Sequence, residues 1–424
     1  MAVPLSAYWR LVRSNRNFRR LWLAQIISEM GDWIYTVAIY TLLLELTGRA
    51  KSVALAFVLQ VLPQSFVAPI AGVINDRASR KRVMIAADLA RAVIVLGMLV
   101  VSRAQIVPLI YALLVLETMM WALFEPGRTA ILPNITGSQD LLTATALSSA
   151  TWSLSLALGA GLGGAIAAFL GRDTVFVLDS LSFLVSATLV RSLNLREPHL
   201  ADSRPFRARD LVDFSPIAEG VRYVARDRRI LALLLVKAGM GLLSTHWVLL
   251  PIFGQRVFPV RAAGAQRGAM LGMSALMSSS GLGALLGPLV GGYWAGDDRA
   301  RLRLGILIGF LMSGLGYLLL AAAPSLGIAS LAVVLAHSGT SLVWVFSTTL
   351  LQFQTDDRYR GRVFSADSAF LVVTMSLTTY ACGLMVDWGV SVQQLAAVTA
   401  LLALLPAGAW TFGMRLFTRA RRAG

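Results

Sequence analysis

The chain has 424 residues, 57% of them hydrophobic and only 14% charged, with a mean hydropathy of +0.70; a soluble globular domain is nearer half apolar and a quarter charged. That composition excludes an ordinary soluble fold, and a lone cysteine, Cys382, excludes an intrachain disulfide and a cysteine-based metal cluster. The net charge of +16 would suit a nucleic-acid partner, so its distribution has to be read first.

The opening stretch MAVPLSAYWRLVRSNRNFRRLW is basic and runs into an apolar segment without a small-residue cleavage site. It reads as an uncleaved first helix preceded by an interfacial segment, with Arg10, Arg13, Arg16, Arg19 and Arg20 facing anionic headgroups. A spanning helix needs about 20 apolar residues. Twelve such runs follow, at 20–45, 52–74, 83–103, 106–126, 144–170, 174–193, 230–253, 268–294, 304–323, 327–351, 363–386 and 391–414. They lack the alternation of barrel strands, so the expected fold class is an all-α membrane protein with twelve transmembrane helices. With a cytoplasmic N-terminus, seven of the 38 Lys and Arg fall outside (Arg49, Lys51, Arg103, Arg172, Arg256, Arg261 and Arg267). Arg91 and Lys237 fall within spans, and the rest are cytoplasmic. This positive-inside bias puts both termini in the cytoplasm and explains the basicity without a nucleic acid.

Ionisable groups inside the bilayer cost roughly 2.5–3.5 kcal/mol or more unless paired or hydrated, which makes them functional candidates. In the first span Glu29 and Asp32 lie three apart on one face; Asp32 is about 18 Å in from residue 20, near the midplane. After the second span comes the charge-dense loop GVINDRASRKR, residues 72–82. Gly72 permits a tight exit from the helix, and Asp76 needs a positive neighbour: Arg77, Arg80 or the N-terminus of another helix. In the third span Asp88 and Arg91 are spaced as an i,i+3 ion pair that would support this loop. Glu117 is central in the fourth, with Trp121 one turn on; Glu125 either pairs with Arg128 or sits in water. Asp32 and Glu117 suit proton binding, or else a structural ion pair. Asp179 needs no special role.

Residues 194–229, the longest polar stretch, divide the chain into a six-helix bundle at 1–193, a cytoplasmic linker and a second bundle at 230–424. In the second, Lys237 is either the counter-charge to Asp32 or Glu117 or a snorkelling lysine. His246 and His337 are hydrogen-bonding groups or proton carriers, and Trp121, Trp247 and Trp344 form an aromatic surface or mere packing. The patterns Gly159, Gly161, Gly163, Gly164 and Gly283-x-x-x-Gly287-Pro288-x-x-Gly291-Gly292 read as helix seams or hinges. Asp367 either joins the network of the 72–82 loop or serves as a helix-start acid.

Gly72-x-x-x-Asp76-Arg77-x-x-Arg80-Lys81 resembles the loop signature of the major facilitator superfamily, with Ser79 where glycine is usual. NRNFRRLWLAQIISEMGDWIYTVA, LPQSFVAPIAG, EPGRTAILPNI and DRYRGRVFSA resemble the branch containing macrolide-efflux and enterobactin-exporter proteins. The resemblance implies the major facilitator fold, with two six-helix halves working by alternating access. It also implies a conformational lock in which Asp76 docks on the start of the eleventh helix, near Phe364–Asp367, in one state only. The glycine-proline pattern that some exporters carry in the fifth helix falls here in the eighth, and the arginine of many antiporters' fourth helix is absent. Proton coupling therefore rests on the acids. The expected function is secondary export of an amphipathic organic molecule such as a drug, siderophore or natural product, exchanged for protons at a bacterial inner membrane. A lipid or lysolipid flippase of the same fold, and a non-transporting receptor or assembly factor, are the alternatives. No P-loop or nucleophile–base pattern points to an enzyme; no cofactor is expected, membrane lipids are the surrounding partner, and the expected state is a monomer.

Overall fold

The protein is described here by a computed structural model that covers residues 5–197, 223–224, 227–296, 298–356 and 359–420. Most of the expected 194–229 linker lies outside the described residues. Among the described residues the secondary structure is helical, without strands. A short amphipathic helix, α1 (Leu5–Ser14), leads into α2 (Arg16–Thr47), α3 (Ala50–Arg77), α4 (Arg80–Ala104), α5 (Val107–Leu170) and α6 (Arg172–Arg191). The second part contains α7 (Arg228–Gly241), α8 (His246–Ile252), α9 (Ala265–Ala295), α10 (Arg299–Ala321), α11 (Leu326–Gln354), α12 (Arg360–Asp387), α13 (Val392–Leu402) and α14 (Leu404–Ala420).

Polar residues at the boundaries set where these helices start. Asn15 accepts from the Phe18 amide to cap α2, Ser79 accepts from Arg82 to cap α4, and Ser391 with Gln394 forms a reciprocal capping box on α13. Gly48, with φ +65°, ends α2 in the left-handed region that glycine tolerates.

Eleven of the described helical stretches are long and apolar enough to span a bilayer, and each overlaps one expected run, though Val107–Gly137 extends eleven residues beyond the expected 106–126. The first expected run, 20–45, lies within the 32-residue α2. It is not among the eleven because Glu29, Asp32 and Glu45 interrupt its apolar sequence. α5 holds the fourth and fifth runs in one helical path that breaks at Gly137, φ +70°. The stretch 127–143, expected to be a connection, is therefore mostly helix despite Pro126 and Pro133. Neighbouring polar groups support its backbone: Asn75 Nδ2 donates to the Leu123 carbonyl at 3.0 Å and Arg80 to that of Ala130 at 3.1 Å.

The span Arg228–Val257 departs from a plain helix at Leu242–Thr245, between α7 and α8. Backbone carbonyls released there must find donors inside the bundle. Tyr317 donates to Leu243 O at 3.1 Å and Thr379 to Ser244 O at 2.9 Å. This break swings His246 and Trp247 into the middle of the molecule.

α2 and α4 pack on α5 and α6, α9 packs on α5 and α11, and α3 packs along α12. Most glycines of the two patterns line helix seams. A Cβ on Gly163 would stand 2.8 Å from Ile34 Cα and one on Gly287 2.1 Å from the Ser338 carbonyl oxygen, whereas Gly292 has open space around it. Large apolar side chains, among them Val93, Val100, Leu331 and Leu377, point outward, as a lipid-facing belt requires.

Candidate functional site

The centre of the first helical group is an ionic triad. α2 contributes Asp32, α4 contributes Arg91 and α5 contributes Glu117. Arg91 Nη2 is 2.6 Å from Asp32 Oδ1, and its Nε donates to Glu117 Oε1 at 2.8 Å. The guanidinium also reaches Ser28 Oγ at 3.4 Å and lies 4.0 Å from the centroid of the Phe183 ring. A planar fork of donors serves two carboxylates in fixed directions, which the compact ammonium of a lysine does not impose. The Arg91 side chain is 1% exposed, Glu117 10% and Asp32 25%, so Asp32 is the most exposed member of the triad. Both expected acids are therefore present and joined, but the pairing differs from the expectation. Arg91 does not bond Asp88, one turn back on its own helix; it turns across the bundle, where two carboxylates converge.

Lys237 is not the counter-charge to these acids. It lies in the second group of helices, 1% exposed, with Nζ 3.8 Å from Asp367 Oδ2 of α12. Its Nζ donates to Thr348 Oγ1 at 2.9 Å and stands 3.6 Å from the Trp344 ring centroid. That environment also corrects the expectations for Asp367 and Trp344, which pair with and cover this lysine.

Glu29 belongs to a separate polar cluster. Gln25 donates to Glu29 Oε1 at 2.9 Å, Arg128 donates to Gln25 Oε1 at 2.9 Å, and Arg128 closes a bidentate pair with Glu125. Asp179, expected to need no role, is completely buried against α2: a Cβ on Gly31 would fall 2.3 Å from its Oδ1.

Between the helix groups lies an aromatic cluster. Trp33 of α2 stacks on Trp247 of α8 with centroids 5.9 Å apart and planes 5° apart, and Phe57 of α3 stacks on the same Trp247 at 4.7 Å. Trp152 meets Trp33 edge-on at 5.7 Å. His246 lies 4.8 Å from Trp247 and 4.5 Å from the His337 ring. Of the expected trio only Trp247 takes part; Trp121 makes no ring contact with another described aromatic residue. Trp33, Trp152 and Phe57 were not singled out by sequence. The available signal was that Trp33 follows Asp32 directly.

The loop with the lock signature sits at the end bearing Arg80–Arg82. Asp76 is 74% exposed, and its ion partner is Arg80, at 3.5 Å across the turn between α3 and α4. Arg80 is otherwise held by the Asn75 and Ala130 carbonyls. Lys81 Nζ donates to Leu193 O at 2.7 Å, and Glu197 receives Ser79 Oγ at 2.6 Å and the Lys81 amide. Arg77 ends α3. Nothing lies within 4 Å of a Cβ built on Gly72. The expected docking of Asp76 on the start of α12 is therefore not made here; Asp76 is exposed and pairs with Arg80 instead. At the opposite end α3 and α12 are clamped. Asp387 of α12 accepts the Ala50 and Lys51 amides at 2.7 and 3.2 Å, capping the N-terminus of α3.

The sequence matches the family model for the Major Facilitator Superfamily over residues 21–377. It is 25% identical to macrolide efflux protein A of Streptococcus pyogenes over 89% of this chain and 90% of that one. It is 26% identical to the uncharacterized MFS-type transporter YkuC of Bacillus subtilis (strain 168), a match that spans 56% of either protein. The crystal structure of the nucleoside transporter NupG superposes with a TM-score of 0.72 at 12% identity, over 94% of this chain and 99% of that one; this likeness speaks for the fold. With the family model covering most of its length, the chain belongs to the Major Facilitator Superfamily and is a multi-pass membrane transporter of small molecules rather than an enzyme.

Proposed function

We propose that this transporter exports an amphipathic organic molecule in exchange for protons, with bundles 1–193 and 230–424 rocking about the aromatic cluster between them. The observation that carries the reading is the Asp32–Arg91–Glu117 triad, a charged group held at membrane depth with one acid partly exposed. Groups of this kind are kept at membrane depth for ion or substrate traffic. Asp32 directly precedes Trp33 of the aromatic cluster, so protonation of the acid and occupation of the aromatic surface act on neighbouring residues of one helix. Efflux as the direction, and an amphipathic cargo, rest on the likeness to macrolide efflux protein A.

The conformation supports a working state open at the Lys/Arg-rich end. Asp387 clamps α3 to α12 at one end, while Asp76 is undocked at the other. With both termini in the cytoplasm of a bacterial inner membrane, that state faces inward and receives cargo as a monomer. Gly72, Asp76, Arg77, Arg80 and Lys81 then form the lock of the outward-facing state. Asp32 and Glu117 are the coupling acids, with Glu29 in the neighbouring polar cluster, while Lys237 organises the second bundle.

The test is accumulation of a radiolabelled macrolide in inside-out vesicles, with a pH-sensitive dye inside. Wild type should concentrate the macrolide and alkalinise the lumen as it does so. Asp32→Asn should lose uphill accumulation while keeping downhill exchange, because a neutral side chain imitates a permanently protonated carrier. Accumulation that survives both a protonophore and Asp32→Asn would overturn proton coupling.

A further inference from the structure

Four carboxyl groups, rather than two, surround Arg91. Asp88 of α4 and Asp179 of α6 are both completely buried. Asp88 has no partner beyond the neighbouring Ser186 hydroxyl, and Asp179 Oδ2 and the Tyr35 hydroxyl have none. Buried polar atoms in folded proteins almost always find partners, so two buried carboxyl groups this poorly satisfied in one bundle call for something that occupies or neutralises them.

Their order along the bundle is regular. Asp88 lies one turn before Arg91 on α4 and beside Ser186 of α6. Asp179 sits against Gly31, the residue next to Asp32, and Ser182 donates to its Oδ1 at 3.3 Å. Tyr35 lies one turn beyond Asp32, with its ring 5.9 Å from Phe176 of α6. Ser186 and Asp179 are seven residues apart on one helix, about 10 Å. The groups facing one another are Asp32 and Tyr35 from α2, Asp88 and Arg91 from α4, Glu117 from α5 and Asp179 from α6, with Glu29 one turn before Asp32. One guanidinium cannot compensate four carboxylates, and a bare buried carboxylate is strongly disfavoured.

We infer that Asp88 and Asp179 form a proton-holding site behind the Asp32–Arg91–Glu117 triad, filled and emptied through the partly exposed Asp32 as Arg91 changes partner. To empty the site, the buried carboxyl of Asp179 or Asp88 gives its proton to the Asp32 carboxylate, and the guanidinium, charged throughout, leaves Asp32 for the carboxylate so formed. Asp32 then releases that proton to water. Filling is the reverse, so each cycle takes up one proton and releases one. Ser186 and the Tyr35 hydroxyl are the donors and acceptors that such a transfer needs beside each acid. The inference rests on the proton-coupled reading for its role in transport, while proton occupancy itself is measurable without any cargo.

The experiment is infrared difference spectroscopy of the full-length protein in lipid nanodiscs, titrated with acid and base. Wild type at neutral pH should show the carbonyl stretch of protonated carboxyl groups. Asp179→Asn and Asp88→Asn should each remove the intensity of one group. Should an Asn variant fail to fold, Tyr35→Phe keeps the ring packing and should shift the frequency of the Asp179 band. Wild-type spectra in all three variants would overturn the inference, as would a band removed by sodium at constant pH. Macrolide accumulation in inside-out vesicles separates this site from the function above. If Asp32→Asn abolishes uphill export while Asp88→Asn and Asp179→Asn export as wild type, the holding site is overturned and proton coupling stands. If the infrared bands respond as expected but a protonophore leaves export intact, the site stands and proton coupling falls.

Discussion

Helices α2–α6 and helices α7–α14 each bury a strong base at membrane depth, and they satisfy it in different ways. Arg91 meets two carboxylates and the face of an aromatic ring, with two more buried acids behind them. Lys237 meets a single carboxylate at 3.8 Å, a hydroxyl and the face of Trp344. The chemistry of the two bases explains the difference: a delocalised fork can hold several acceptors in fixed directions, whereas an ammonium is a compact point charge. The first group of helices therefore gathers four carboxyl groups around one base, which can change partner without being left alone; the second group pairs one base with one acid.

The largest effect expected from breaking this arrangement is on Arg91. Arg91→Met removes the only base among Asp32, Glu117, Asp88 and Asp179. Removing one partner of a buried ion pair costs about 3–5 kcal/mol because it strands the other charge. The melting temperature of the detergent-purified protein should fall steeply, with less folded material on size exclusion. Arg91→Lys should lose less, keeping the charge but reaching only one acid. A methionine variant as stable as wild type would remove the ionic triad from the account.

Lys237 gives a smaller and more diagnostic effect. Lys237→Met strands Asp367 and Asp367→Leu strands Lys237, but the double variant leaves no charge behind. Groups in contact show interaction energies of about 0.5–3 kcal/mol in such cycles, so the double variant should be more stable than the summed single losses allow. The same cycle on Arg91 and Asp32 should recover less, because Glu117 still needs its base. Simple additivity at Lys237 and Asp367 would erase the contrast between the two regions.

The spans were legible because long apolar runs have little other use, and each of the eleven that pass on composition overlaps an expected run. Two features were hidden. Pro126 and Pro133 read as the end of a helix, yet the chain stays helical to Gly137 because Asn75 and Arg80 supply donors from a neighbouring element. The break at Leu242–Thr245 has no proline, and its stability comes from Tyr317 and Thr379, far away in sequence. The site was legible as a set of charges and illegible as a set of pairs. Spacing within one helix suggests Asp88 with Arg91, but spacing carries no information about which face meets which neighbour. Asp32, Glu117 and Asp367 were therefore found, while their partners were not. The aromatic cluster was missed for the same reason: Trp33, Phe57, Trp152 and Trp247 lie on four different helical segments and meet only after those segments pack.

The smallest effect on stability is expected at Asp76, and that smallness is informative. Its side chain is three-quarters exposed and its pair with Arg80 reaches across the 78–79 turn between α3 and α4; exposed pairs contribute about 0.2–1 kcal/mol. Asp76→Asn should therefore leave the melting temperature of the protein in this conformation almost unchanged. A ligand or contact shifts a conformational equilibrium only by its differential interaction with the two states. If Asp76 docks on the start of α12 once that end closes, the substitution destabilises the closed state alone. Spin labels on the 78–79 turn and near the start of α12 should then show wild type sampling a short distance that the variant loses. The Asp387 clamp at the other end supplies the control, because Asp387→Asn weakens a contact made in the present state and should move the same distribution the opposite way. Unchanged distances and unchanged transport in Asp76→Asn would reduce the loop to a cluster of topology-setting charges, and the difference between the two ends of α3 would then carry no mechanism.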